Sequence, residues 1–233
     1  MSDGLGALIF GAVGGGIVTI GLRAFEKVWI EGRLGESMDA RRKLLKYAKP
    51  FWLACNDLEW RFAHILQKIR TKDNLEPLRD SPAKAVGLDW YVKAGYYTTS
   101  TAYLLANVAA WIQLFQRDVV FLRFRKSSAT AQFFRLVESL KTTLSTDSIL
   151  WFHYFNGIGD YLIQGEVPMS IAAFSFKLAT EENFRAYYSQ LFAFLQSLTG
   201  ANQERFIERA IENLKAIKQC LEENGAVPEI SAP

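Results

Sequence analysis

Two histidines, His64 and His153, are the side chains of this sequence best suited to proton transfer or to ligation near neutral pH. They lie far apart in sequence, and the chain contains neither an H-E-x-x-H nor a C-x-x-C motif. Asp160 follows His153 by seven residues and makes it the best acid–base candidate. A histidine among aromatic residues is usually a core residue, so we predict no enzyme, no catalytic residue and no metal site. Axial ligation of a haem or pigment by either histidine stays open, because one histidine suffices.

Cysteine usage and net charge exclude further classes of protein. Cys55 and Cys220 lie in helical patterns without metal-ligand spacing, which predicts buried thiols in a reducing compartment rather than a disulfide framework. The formal net charge of +3 is too small for a phosphate-binding face, so we predict no nucleic-acid partner.

The glycine-rich stretch of residues 7–25, ALIFGAVGGGIVTIGLRAF, has two interpretations. Gly11, Gly14 and Gly16 match a G-x-x-G-x-G variant of the dinucleotide-binding fingerprint. That fingerprint requires a βαβ unit followed by more strands, whereas almost everything after residue 36 has helical periodicity. We therefore prefer the second interpretation, a membrane-spanning helix.

Residues 4–22 are 19 residues without a charged side chain, enough to cross the ~30 Å hydrocarbon layer at ~1.5 Å per residue. No Lys or Arg precedes this run, which indicates a retained anchor rather than a cleaved signal peptide. Basic residues follow it, so the positive-inside rule predicts an outward N-terminus and a cytoplasmic remainder.

Small residues recur at every fourth position of this predicted span, namely Ala7, Gly11, Gly15 and Thr19. Such a stripe lets a second membrane helix approach closely, which predicts a protein partner or a homo-oligomer. The alternative is that the glycines merely make a weak anchor.

A basic cluster follows the span and consists of Arg41, Arg42, Lys43, Lys46 and Lys49. It is placed to contact anionic lipid headgroups. A solvated helix face explains the same residues equally well, and both interpretations stay open.

The remaining sequence predicts a helix from Ser37 with a kink or break at Pro50, then a strongly amphipathic helix and a long loop. Residues 94–116 carry no charge, but their hydroxyl and amide side chains favour a central helix covered by neighbours over a second membrane span. Further on, Asn156-Gly157 suggests a turn and Pro168 a helix start. Gly225 is expected to follow the end of the last helix.

These elements together predict an all-α protein with one N-terminal transmembrane helix (1–31), a cytoplasmic bundle of about five to seven helices (32–225) and a flexible tail (226–233). The corresponding function is a single-pass membrane-tethered interaction module, an accessory or scaffold subunit of a larger membrane assembly or a homo-oligomer, with lipid and protein as partners and no cofactor. One alternative is a membrane-associated sensor or effector with a ligand pocket among Trp111, Trp151 and Tyr154. Another is a haem- or pigment-carrying subunit.

Overall fold

The computed structural model describes residues 42, 44–73, 78, 87–118, 127–145, 150, 152–198 and 203–227. The chain divides between Lys43 and Leu44 into two units, and every described residue except Arg42 belongs to the second. The described residues are predominantly helical, which confirms the all-α prediction. None of their helices is both long and apolar enough to cross a membrane. The predicted span at residues 4–22 lies outside the described residues, as does its stripe of Ala7, Gly11, Gly15 and Thr19.

Eight helices and one small hairpin make up the described part of the chain. The first helix, α1, covers residues 44–70. The others are α2 (Leu88–Val92), α3 (Tyr96–Asp118), α4 (Ser127–Leu144), α5 (Phe152–Leu162), α6 (Ile171–Thr180), α7 (Glu182–Ser197) and α8 (Glu204–Glu223). Strands β1 (Ile163–Gln164) and β2 (Val167–Pro168) pair antiparallel between α5 and α6. The number of helices exceeds the predicted range because α2 has only five residues and the single residue Glu181 separates α6 from α7.

Helix α3 lies at the centre of the bundle and packs against α5, α6 and α7. Its four consecutive hydroxyl residues, Thr98, Thr99, Ser100 and Thr101, are buried. The hydroxyls of Ser100 and Thr101 donate to the Tyr97 carbonyl oxygen at 3.1 and 2.7 Å, so the helix backbone satisfies these two, whereas the buried Thr99 hydroxyl has no hydrogen-bond partner among the described residues. The prediction of a central helix covered by its neighbours is confirmed.

Helix α1 runs without interruption through Pro50, so of the predicted kink or break the break is wrong, and the kink stays a prediction. Ala48 and Phe51, on either side of the proline, are fully buried, and the Phe51 ring packs 5.2 Å from that of Phe115 on α3. A proline inside a helix costs about 3 kcal/mol. Packing of an aromatic face along both sides of Pro50 offsets that cost, which the local sequence pattern does not reveal.

Two further local predictions are corrected by the packing of α5 and by the hairpin. Asn156 lies inside α5 instead of in a turn, and its Oδ1 accepts a hydrogen bond from Nε2 of Gln113 on α3 at 2.8 Å. Pro168 ends the hairpin instead of starting a helix. Helix α6 begins at Ile171, where the Ser170 hydroxyl caps it by accepting from the Ala173 amide at 3.2 Å.

Gly159 allows α5 to lie unusually close to α3. A Cβ at this position would lie 2.6 Å from the carbonyl carbon of Ala109 and 2.8 Å from the amide nitrogen of Ala110. Both contacted atoms belong to the backbone of α3, so only glycine permits this approach. The centre of the fold therefore depends on a residue without a side chain.

The end of α8 was predicted correctly from its glycine. Helix α8 ends at Glu223, and Gly225 adopts a φ of 62°. The following amide, that of Ala226, donates to the Leu221 carbonyl at 2.9 Å, as in a glycine-terminated helix.

Candidate interaction surface

The solvent-facing side of α1 carries three large apolar side chains, and it is the best candidate for a functional surface. Trp60 is 72% exposed, Leu45 is 44% exposed and Leu53 is 43% exposed. Their spacing of eight and seven residues is close to two helical turns each time, so they share one side of the helix. We call Leu45, Lys46, Lys49, Leu53 and Trp60 the α1 outer face.

Trp60 differs from the other described tryptophans. Trp52 and Trp111 are buried, and Trp90 packs against the core. Within the described residues, Trp60 has neither a hydrogen bond nor a ring contact. A single exposed apolar side chain needs no explanation, but a tryptophan and two leucines on one side of a helix form a row of exposed apolar side chains. Such a row is typical of a surface that another molecule covers.

Lysines alternate with the apolar residues of this face. Leu45, Lys49 and Leu53 follow one another at four-residue intervals and therefore lie in one row along the helix. Lys46 forms an ion pair with Glu166 in the turn of the hairpin and lies 5.4 Å from the centre of the Tyr47 ring. Because Glu166 itself is largely exposed, this ion pair leaves the outer face open.

The predicted headgroup contacts fall partly on this surface. Arg42, Lys46 and Lys49 are exposed. Arg41 and Lys43 lie outside the described residues. Contact of these residues with lipid stays a prediction.

Contacts with α8 along one edge of the α1 outer face fix its orientation. Trp52 Nε1 donates to Glu222 Oε1 at 2.7 Å, which joins α1 to α8. Lys218 of α8 reaches the same helix, with its Nζ 2.8 Å from Glu59 Oε2 and 2.9 Å from Asn56 Oδ1. The lysine also lies 5.0 Å from the centre of the Trp52 ring. These contacts hold α1 in place and direct Trp60 towards solvent.

The histidines do not form a catalytic arrangement in the described part of the chain. His153 is exposed on α5, so the expectation of a core histidine is wrong. Asp160 lies about two turns further along the same helix, which separates the two backbones by ~10 Å. Partial burial raises the pKa of Asp160, and Arg117 opposes this shift. Within the described residues, no group of three or more His, Cys, Asp or Glu side chains could hold a metal ion.

The two cysteines are free and buried, as predicted. Burial raises the pKa of the Cys55 thiol far above its ordinary value, with Lys218 opposing the shift and Glu59 adding to it. Burial also raises the pKa of Cys220, and Glu223 adds to that shift. Both thiols therefore stay protonated, which makes them poor nucleophiles and poor metal ligands.

The residues considered for a ligand pocket serve the packing of the core. Trp111 is buried with its ring edge-on to Tyr47 at 6.2 Å, and the Tyr154 hydroxyl donates to the Tyr187 carbonyl at 2.5 Å. Trp151 lies outside the described residues. A shallow groove of about 270 Å³ lies elsewhere, between the end of α4 and the start of α8. It is lined by Thr142, Thr143, Ser145, Arg205, Phe206 and Arg209.

The sequence contains a partial indication of the α1 outer face and of the groove between α4 and α8. Trp60 falls off the apolar stripe of the amphipathic helix that contains it, and that displacement was the available signal for the outer face. Arg205 and Arg209, four residues apart at the start of a helix, were the corresponding signal for the groove. No family model, curated protein or solved structure matches the chain.

Proposed function

We propose that this chain is a single-pass membrane-tethered helical interaction module, an accessory or scaffold subunit of a larger membrane assembly. Residues 4–22 are its anchor, with the N-terminus outward and the helices α1 to α8 in the cytoplasm. The α1 outer face is the surface that a partner protein covers. The observation that carries the proposal is the exposure of Trp60 on the same side of α1 as Leu45 and Leu53.

The apolar area of this face is large enough to matter energetically. A tryptophan buries on the order of 200 Å², and burial is worth ~25 cal/mol per Å², so covering the exposed part of Trp60 contributes roughly 3–4 kcal/mol. Tryptophan is also enriched among the residues that dominate binding energy at protein interfaces. A membrane anchor raises the effective concentration of a partner in the same membrane, so a small surface suffices there.

The anchor and the surface can be tested on the full-length chain in native membranes. We expect alkaline carbonate and high salt to leave the protein in the membrane fraction. A photo-crosslinking amino acid in place of Trp60 should form adducts with protein, whereas the same substitution at Phe176 should not. Phe176 is a matched control because it is 55% exposed on α6, outside the outer face. Release by carbonate would refute the anchor, and equal or purely lipid adducts at the two positions would refute the partner surface.

The small-residue stripe makes a separate prediction for the anchor. Lipid tails are as apolar as leucine, so close backbone approach has to hold paired membrane helices together. Replacing Gly11 and Gly15 by Leu should therefore preserve membrane insertion and abolish helix pairing. Similarly large apolar substitutions at Leu8 and Val18, which lie off the stripe, are the control. Crosslinking in native membranes measures the pairing, and a double leucine variant that keeps all its partners would reduce the span to a plain anchor.

A further inference from the structure

Three basic side chains of α1 surround one tyrosine at the start of α3. Arg61, His64 and Lys68 follow at spacings of three and four residues, so they lie on one side of the helix. The Arg61 guanidinium carbon is 4.4 Å from the centre of the Tyr97 ring, and Lys68 Nζ is 5.9 Å from it. The His64 ring centre lies 6.1 Å from the same point. We call Arg61, His64 and Lys68 the Tyr97 basic cluster.

Hydrogen bonds to α3 fix the orientation of the arginine in this cluster. Its Nη1 donates to the Tyr97 carbonyl at 2.9 Å, to Ser100 Oγ at 3.0 Å and to Thr101 Oγ1 at 2.6 Å. Within the described residues, Nε and Nη2 of Arg61 have no acceptor. These two nitrogens form one edge of the guanidinium, whose parallel N–H groups match two oxygens of a phosphate.

The positive charge of the cluster is not balanced by carboxylates in the described part of the chain. None of its three side chains forms an ion pair there. Desolvation by burial lowers the pKa of Arg61, and the groups that oppose this shift are the phenols of Tyr97 and Tyr96. The first turn of α3 contains no acidic residue, and a helix N-terminus adds partial positive charge of its own.

We propose that the Tyr97 basic cluster binds a phosphate group. Arg61 supplies the oriented pair of donors through Nε and Nη2, and Lys68 and His64 contribute charge and further donors from the same side of α1. The Tyr97 hydroxyl is buried, has no hydrogen-bond partner in the described residues, and is one more donor beside the site. The phosphate can belong to a lipid headgroup or to a free anion, and the site adjoins the α1 outer face, because His64 follows Trp60 by four residues.

The two histidines of the chain allow a direct test in solution. The full-length chain, in uncharged maltoside micelles at constant ionic strength, is titrated with inorganic phosphate or with short-chain phosphatidic acid. Proton NMR follows the ring resonances of His64, which lies in the cluster, and those of His153, which lies exposed on α5. We expect a saturable shift of the His64 resonances while the His153 resonances stay in place.

Variants test whether the cluster causes the shift. A charge-assisted hydrogen bond lost in Arg61→Gln should weaken phosphate binding by about tenfold or more. Arg61 also donates hydrogen bonds to α3, so its replacement affects packing as well as binding. Lys68→Gln provides an independent variant, for which we expect a several-fold loss of phosphate affinity. Lys215→Gln, at an exposed position of α8, is the matched control and should bind like the parent chain.

The two titrations distinguish the sources of the phosphate group. A His64 shift with phosphatidic acid alone identifies a lipid headgroup, and a shift with both reagents identifies a site that also accepts free phosphate. The proposal is overturned if neither reagent shifts His64, if His153 shifts equally, or if folded Arg61→Gln and Lys68→Gln both bind like the parent. Carbonate extraction has no bearing on these outcomes, so this site and the membrane anchor can fail separately.

Discussion

Gly159 offers the sharpest test of the packing at the centre of the bundle. Its backbone faces the α3 backbone so closely that a methyl group there would lie 2.6 Å from the Ala109 carbonyl carbon and 2.7 Å from its oxygen. Favourable contacts between carbon atoms lie at about 3.5–4.0 Å, so the overlap in Gly159→Ala is roughly 1 Å. Both elements are helices with buried side chains at the contact, so α5 has to move away from α3 to accommodate the methyl group.

The expected change in stability is the difference between two opposing contributions. Overpacking of a well-packed core costs up to about 3 kcal/mol when backbone has to shift. Alanine is better than glycine in a helix interior by roughly 1 kcal/mol. The Gly159→Ala variant should therefore unfold with a free energy about 2 kcal/mol below that of the parent chain.

Gly157 in the same helix provides a matched control with a different obstacle. A Cβ there would meet the Tyr187 hydroxyl at 2.0 Å and the attached ring carbon at 3.4 Å. Removing that hydroxyl with Tyr187→Phe should therefore restore most of the stability lost in Gly157→Ala. Tyr187→Phe should leave Gly159→Ala as unstable as before, because the α3 backbone is the obstacle in that case.

Denaturant unfolding of the full-length chain in mild detergent, followed by circular dichroism, measures these differences. If Gly159→Ala were as stable as the parent chain, or about 1 kcal/mol more stable as at an open helix position, the close approach of α5 to α3 would be refuted.

Three other results are expected. Lys218→Met leaves the largely buried Glu59 without its cation, so the free energy of unfolding should fall by roughly 2–3 kcal/mol. Lys93→Met removes an exposed ion pair and should change the free energy of unfolding by less than about 0.5 kcal/mol. Equal effects of the two variants in denaturant unfolding would contradict this. The Cys55 thiol should react with an aromatic disulfide reagent only after denaturant is added, and rapid reaction of the native chain would show that it is accessible. Burial raises the pKa of Tyr188 above its unfolded value of ~10, so the unfolded chain releases that proton first and stability should fall as the pH rises above ~10; denaturant unfolding at increasing pH should show this fall in the parent chain and a smaller one in Tyr188→Phe, and equal falls would contradict it.

Periodicity and charge were sufficient for the all-α class of the described residues. The uncharged but hydroxyl-rich stretch of α3 indicated a covered helix rather than a lipid-facing one, and Gly225 indicated the end of α8. In both cases the deciding feature was local: polar groups that the helix backbone can satisfy, and a residue that tolerates positive φ.

The errors arose where packing between distant segments overrode a local preference. Asn156 and Gly157 have turn-forming side chains, yet one pairs with Gln113 and the other makes room for Tyr187. Pro50 remains helical because core residues flank it on both sides. A pattern of neighbours in sequence cannot contain this information, since every partner lies on another helix.

The candidate sites were only partly visible for the same reason. The exposure of Trp60 follows from its position off the apolar stripe of α1 and could have been found on a helical projection. The Tyr97 basic cluster could not have been found in this way, because the orientation of the Arg61 guanidinium depends on the α3 residues to which it donates. A basic side chain on a helix predicts little until its acceptors are known.

The joining of α1 to α8 bears on how the chain is made. The Trp52 indole bonds to Glu222, and Arg70, at the other end of α1, forms an ion pair with Glu208. Helix α1 leaves the ribosome long before α8 has been synthesised. The side of α1 that contacts α8 therefore stays uncovered until most of the chain has been made. During that interval the apolar surface around Trp52 is open to chaperones and to neighbouring nascent chains. Synthesis of the last described helix, rather than of any earlier one, therefore completes the fold.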